Sequence, residues 1–63
     1  MREEKIARYE QAIYECERFA AIAKVAMKRI KADEYAIYGS KETAAAKRAS
    51  MDVTRAMSNL RKP

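Results

Sequence analysis

The chain has 63 residues, a formal net charge of +5 at pH 7, no histidine, one cysteine and one glycine. These numbers exclude an internal disulfide, a zinc site and a glycine-rich phosphate loop. A chain this short is close to the lower limit for stable folding, and a partner subunit is the supplement that remains without disulfides and metals. We therefore predict one domain over residues 1–63 that binds no cofactor and no metal and that self-associates.

Residues 2–38 are predicted to form the first of two helices. The chain has thirteen alanines and many glutamate, lysine and arginine residues, all of which favour helix. Apolar residues recur in alternating steps of three and four, which is typical of a coiled-coil seam. This heptad seam consists of Ile6, Tyr9, Ile13, Cys16, Ala20, Ala23, Met27 and Ile30.

The dipeptide Gly39-Ser40 separates the two helices. We expect Gly39 to adopt the left-handed conformation that closes a helix, and Ser40 to cap the next one. The second helix is predicted over residues 41–61, and the short connection makes the pair an antiparallel, all-α hairpin. The seam of the second helix consists of Ala46, Ala49, Val53, Ala56 and Leu60. Because alanine is common in both seams, we expect the helices to approach closely.

The unequal lengths of the two helices predict a dimer. A helix over residues 2–38 spans about 55 Å, whereas one over 41–61 spans about 31 Å and reaches back only to about Arg18. Further apolar residues, such as Phe19 and Ile22, lie outside the heptad seam and lack a second layer to pack against. Two hairpins that form a four-helix bundle would cover both regions. The predicted dimer or partner interface consists of Ile6, Tyr9, Ile13, Tyr14, Cys16, Phe19 and Ile22.

Three other side chains allow two interpretations each. Cys16 is either a redox-sensitive thiol or, as we favour, a small apolar residue in the subunit interface. Tyr35 and Tyr38 form either an exposed recognition patch or, as we favour, a plug that closes the turn end of the hairpin.

Basic residues provide an alternative function, because nucleic-acid binding begins with clustered lysine and arginine. Lys41, Arg48, Arg55 and Lys62 recur every seven residues on the second helix and share one face. This column is also what an ordinary solvated helix face looks like. The predicted nucleic-acid contacts are Lys24, Lys28, Arg29, Lys47, Arg48 and Arg55, which would form one basic band.

The layout of two helices around Gly39-Ser40 resembles the plasmid-copy-number RNA-binding hairpins, which dimerise into four-helix bundles. That resemblance implies recognition of RNA loops across the dimer. In size, charge and hairpin pattern the chain is also similar to small accessory proteins of the early exo–xis region of lambdoid bacteriophages. That similarity implies a phage-encoded protein in the host cytoplasm that modulates development or host functions.

Composition and pattern together predict a small regulatory or adaptor protein that acts as a homodimer through protein–protein contacts. We expect no enzyme activity and no small-molecule substrate, because a two-helix chain offers no cleft for catalysis. The longest apolar run has five residues, whereas a membrane span needs about 20, so no membrane partner is expected. The free thiol favours a cytoplasmic location.

Overall fold

A computed structural model describes residues 2–63, which form two antiparallel helices joined by a short helical turn. Helix α1 covers Arg2–Ala32, a 3₁₀ helix covers Glu34–Tyr38, and helix α2 covers Lys41–Arg61. The prediction of an all-α hairpin is confirmed. The described residues contain no strand.

Helix α1 ends at Ala32, so the predicted first helix over residues 2–38 is too long. Asp33 leaves the helical conformation, with φ −149° and ψ 108°. Its carboxylate accepts a hydrogen bond from the backbone N–H of Tyr35 at 3.1 Å. Aspartate side chains compete in this way with the helical hydrogen bonds of the backbone. Asp33 thus caps the 3₁₀ helix and ends α1.

Ser40 caps α2 as predicted. Its Oγ accepts a hydrogen bond from the backbone N–H of Thr43 at 3.1 Å, and Thr43 Oγ1 accepts one from the backbone N–H of Ser40 at 3.2 Å. The two hydrogen bonds form a capping box, which satisfies backbone donors at the start of the helix. The prediction for Gly39 is wrong, because its φ of 163° and ψ of 106° are extended and not left-handed.

Three polar contacts show how far α2 extends along α1. Arg29 Nε lies 3.8 Å from the carboxylate of Glu42, and Arg18 Nη1 lies 3.1 Å from that of Asp52. At the far end, Arg8 donates a hydrogen bond to the carbonyl of residue 62 at 3.4 Å. The predicted limit at Arg18 is therefore wrong. Because α1 ends earlier than expected, α2 begins opposite Arg29 and its 21 residues carry it to Arg8.

Alanines alone make up the buried core of the described residues. Five of them are at most 6% exposed, and no large side chain in residues 2–63 is fully buried. These alanines are Ala12, Ala26, Ala36, Ala49 and Ala56. Small side chains let two helix axes approach closely, as expected from the sequence.

The face of α1 that packs against α2 is not the heptad seam. Ala12 and Ala26 are buried, and Phe19, midway between them, is half-buried. These three residues recur every seven positions, so they lie on one face. By contrast, the seam members Ala20 and Met27 are exposed, while Cys16, Ala23 and Ile30 are half-buried. The heptad seam therefore lies along one edge of the helix–helix contact and not at its centre.

Candidate functional site

The hairpin has one apolar side, which is the strongest candidate for a functional surface. On this side a shallow groove runs between α1 and α2, and both helices contribute to it. The groove is lined by Tyr9, Ala12, Ile13, Cys16, Glu17, Met57 and Leu60. We call these residues, together with the rest of the heptad seam of α1, the apolar side.

Large side chains on the apolar side are open to solvent. Ile6 is 49% exposed, Tyr9 53% and Ile13 58%, and Met27 near the other end of the seam is 52% exposed. Cys16 is half-buried in the middle. Apolar residues at heptad spacing along more than 20 residues, five of them exposed and three half-buried, are typical of a helix-packing interface.

The opposite side of the hairpin carries ion pairs. Arg18 donates hydrogen bonds to Asp52 at 3.1 Å and to Glu15 at 3.4 Å. The hydrogen bond to Asp52 is the main reason why the pKa of Arg18 is raised above its usual value, while partial desolvation opposes it. Arg29 pairs with Glu42 and, at 3.5 Å, with Asp33. Among residues 2–63, the ion pairs between α1 and α2 thus lie on this opposite side, and none lies on the apolar side.

The seven residues predicted to form an interface do not lie on one surface. Ile6, Tyr9, Ile13 and Cys16 belong to the apolar side. Tyr14 is 60% exposed and, at 100° per residue, points away from that side. Phe19 and Ile22 are half-buried and belong to the contact region between α1 and α2.

The sequence prediction omitted the contribution of α2 to this surface. Met57 and Leu60 line the groove, and Val53 lies one turn before Met57. The signal was present in the sequence, because these residues continue an apolar stripe at helical spacing.

The turn end of the hairpin exposes its aromatic rings. Tyr35 is 70% exposed and Tyr38 82%, so the prediction that they plug the turn is wrong. Ala36 takes that place and is 3% exposed. Thr43 Oγ1 donates a hydrogen bond to the carbonyl of Ala36 at 3.4 Å, which holds the turn against the start of α2.

The predicted basic band is not assembled on one hairpin. Arg29 is engaged with Asp33 and Glu42 between the helices. The exposed residues Lys24 and Lys28 lie on the outer surface of α1. On α2, the exposed basic residues are Lys47, Arg48 and Arg55. They project from other sides of the hairpin than Lys24 and Lys28 do.

The column of four basic residues on α2 does exist as a surface. Lys41, Arg48, Arg55 and Lys62 are exposed and share one face at sevenfold spacing. Within residues 2–63, no ion pair joins Arg48 or Arg55 to an acidic side chain.

Residues 2–63 hold no group of three His, Cys, Asp or Glu side chains arranged to bind a metal ion. None of the described helices combines the length and the apolar character needed to cross a membrane.

Comparison with protein-family models, with curated proteins and with solved structures finds no match to this chain. The resemblances to plasmid-copy-number hairpins and to phage accessory proteins therefore stay predictions.

Proposed function

We propose that this chain is a small, non-enzymatic regulatory or adaptor protein that works as a homodimer through protein–protein contacts. The single observation that carries the proposal is the solvent-exposed apolar side of the hairpin. Ile6, Tyr9, Ile13 and Met27 are each about half exposed on one stripe. Exposed apolar patches of this kind on a small soluble domain mark protein interaction sites.

The core of one hairpin supports the dimer. Its five most buried residues are alanines, which bury little apolar area each. The larger apolar side chains, among them Phe19, Met57 and Leu60, are only half-buried. A second hairpin on the apolar side would turn these partly exposed residues into the centre of a four-helix bundle.

The surface area of the hairpin also supports the dimer. The chain exposes 5286 Å², whereas a compact monomer of its mass exposes about 4,100 Å². The excess of about 1,200 Å² exceeds the roughly 800 Å² that each partner contributes to a standard protein–protein interface. The hairpin is a rod of 48 × 15 × 13 Å, and pairing two rods side by side removes this excess.

Light scattering coupled to size-exclusion chromatography tests the dimer. We expect a mass of twice the 7.2 kDa of the chain at micromolar concentration. Ile13→Asp places a charge in the middle of the apolar side and is expected to give a folded monomer, because a buried unpaired charge is costly. Met51→Asp is the matched control, since Met51 is equally exposed but lies on the outer face of α2. A stable wild-type monomer would refute the proposal.

A second candidate function, nucleic-acid binding, is favoured by the basic column on α2. Arg48 and Arg55 are exposed and carry no ion pair within residues 2–63. The column from Lys41 to Lys62 is about 31 Å long, enough to follow the phosphates of a duplex.

Fluorescence anisotropy with labelled duplex DNA and hairpin RNA tests this second candidate. Binding through the column would weaken steeply between about 50 and 200 mM salt, because phosphate contacts release counterions. Arg48→Glu with Arg55→Glu should abolish such binding. Arg2→Glu with Lys5→Glu makes the same change in net charge away from these arginines and should weaken it less. Absence of salt-dependent binding at low ionic strength eliminates nucleic acid as a partner.

A further inference from the structure

We propose that the dimer forms by antiparallel packing of α1 against α1 of a second copy, with the N-terminal half of one stripe on the C-terminal half of the other. This inference rests on the proposed homodimer and specifies its arrangement. The distribution of charge along α1 supports it.

The charge of α1 is unevenly distributed along its length. Residues 2–17 hold three basic and five acidic side chains, for a net charge of −2, whereas residues 18–32 hold five basic and no acidic side chains. Two of these five, Arg18 and Arg29, pair with acidic side chains of the same hairpin, so the exposed charges left for a second copy are Lys24, Lys28 and Lys31. Antiparallel packing places these lysines beside the acidic half of the other α1, which holds Glu10 and Glu17. Parallel packing would place the lysines of the two copies together, where like charges repel.

Spin-label distance measurements by pulsed electron paramagnetic resonance test the arrangement. Single cysteines are introduced in the Cys16→Ser background, one as Glu3→Cys near the start of α1 and one as Glu17→Cys near its middle. Antiparallel packing predicts a separation of roughly 35 to 45 Å between the two labels at position 3. Labels at position 17 lie close to the axis in either arrangement and serve as the control for dimer formation.

The possible spin-label distances distinguish the antiparallel arrangement of α1 from the existence of the dimer. A long distance at position 3 with a short one at position 17 supports antiparallel α1 packing. Short distances at both positions overturn it, because each α1 then runs parallel to its copy, while the homodimer stands. No dipolar signal at either position, together with a monomer mass in light scattering, refutes the proposed homodimer.

A charge swap gives an independent test. Lys24→Glu with Lys28→Glu reverses two of the three exposed positive charges of the C-terminal half and should weaken dimerisation roughly five- to fiftyfold, since the twofold axis repeats each lost pairing. Adding Glu10→Lys and Glu17→Lys to the same chain restores opposite charges across an antiparallel interface and should recover most of the affinity. If the four substitutions together weaken the dimer further, α1 does not pack antiparallel to its copy.

Discussion

Ala49 is the most buried residue of the hairpin, and its replacement by leucine measures how tightly the two helices are packed. Ala49 is 1% exposed and lies on the face of α2 that contacts α1. Leucine adds three carbon atoms where the neighbouring residues leave no space. Overpacking of this kind costs about 1–3 kcal/mol.

That cost is large for so small a protein. A chain of 63 residues has a total stability of roughly 3–9 kcal/mol. Each 1 kcal/mol lowers the melting temperature of a domain this size by about 4–8 °C, so we expect Ala49→Leu to lower it by about 5–20 °C.

Circular dichroism at 222 nm during heating gives the melting temperatures, with all variants at one protein concentration because dimerisation couples stability to concentration. Ala44→Leu is the matched control, since Ala44 is exposed on the same helix and its replacement should change stability by less than about 0.5 kcal/mol. If the two variants have the same melting temperature, close packing of alanines does not stabilise the hairpin.

The remaining predictions concern the turn and the polar contacts. Ser40→Ala removes the acceptor for the backbone N–H of Thr43 and should cost about 1 kcal/mol in urea unfolding, whereas Ser58→Ala on the exposed surface of α2 should cost little. Gly39→Ala should raise stability by about 0.4–1 kcal/mol, because an added Cβ meets nothing within 4 Å and the backbone is extended; a loss of stability would contradict this geometry. A double-mutant cycle with Arg18→Met and Asp52→Asn should give a small favourable coupling free energy that falls at high salt, since both side chains are partly exposed.

Local signals in the sequence predicted the parts of the fold that depend on neighbouring residues. Ser40 was predicted to cap α2 because serine is a preferred N-cap residue, and the structure confirms this cap. The helical character of residues 2–32 and 41–61 follows from composition and spacing.

The end of α1 was missed because two local preferences compete at Asp33. The residues after it, Glu34–Tyr38, continue the helical pattern, but the carboxylate of Asp33 captures the N–H of Tyr35 and starts a 3₁₀ helix. The position at which α1 ends determines how far α2 extends along it. An early end of α1 moves the whole of α2 toward the N-terminus of its partner helix.

The orientation of α1 was missed because two apolar stripes overlap on it. One is the heptad seam with Ile6, Tyr9 and Ile13, and the other passes through Ala12, Phe19 and Ala26. Spacing alone does not determine which stripe faces α2. Side-chain size determines it, because alanines allow α1 and α2 to approach more closely than isoleucine and tyrosine would.

The alanine contact between the helices has a mechanical consequence. The methyl groups of the buried alanines set the distance between the helix axes, while the half-buried Phe19 and several polar contacts oppose sliding along their length. Beyond the turn, these polar contacts are Arg29 to Glu42, Arg18 to Asp52 and Arg8 to the carbonyl of residue 62. Salt weakens the ion pairs that contribute to the register and leaves the packing of the alanines unchanged.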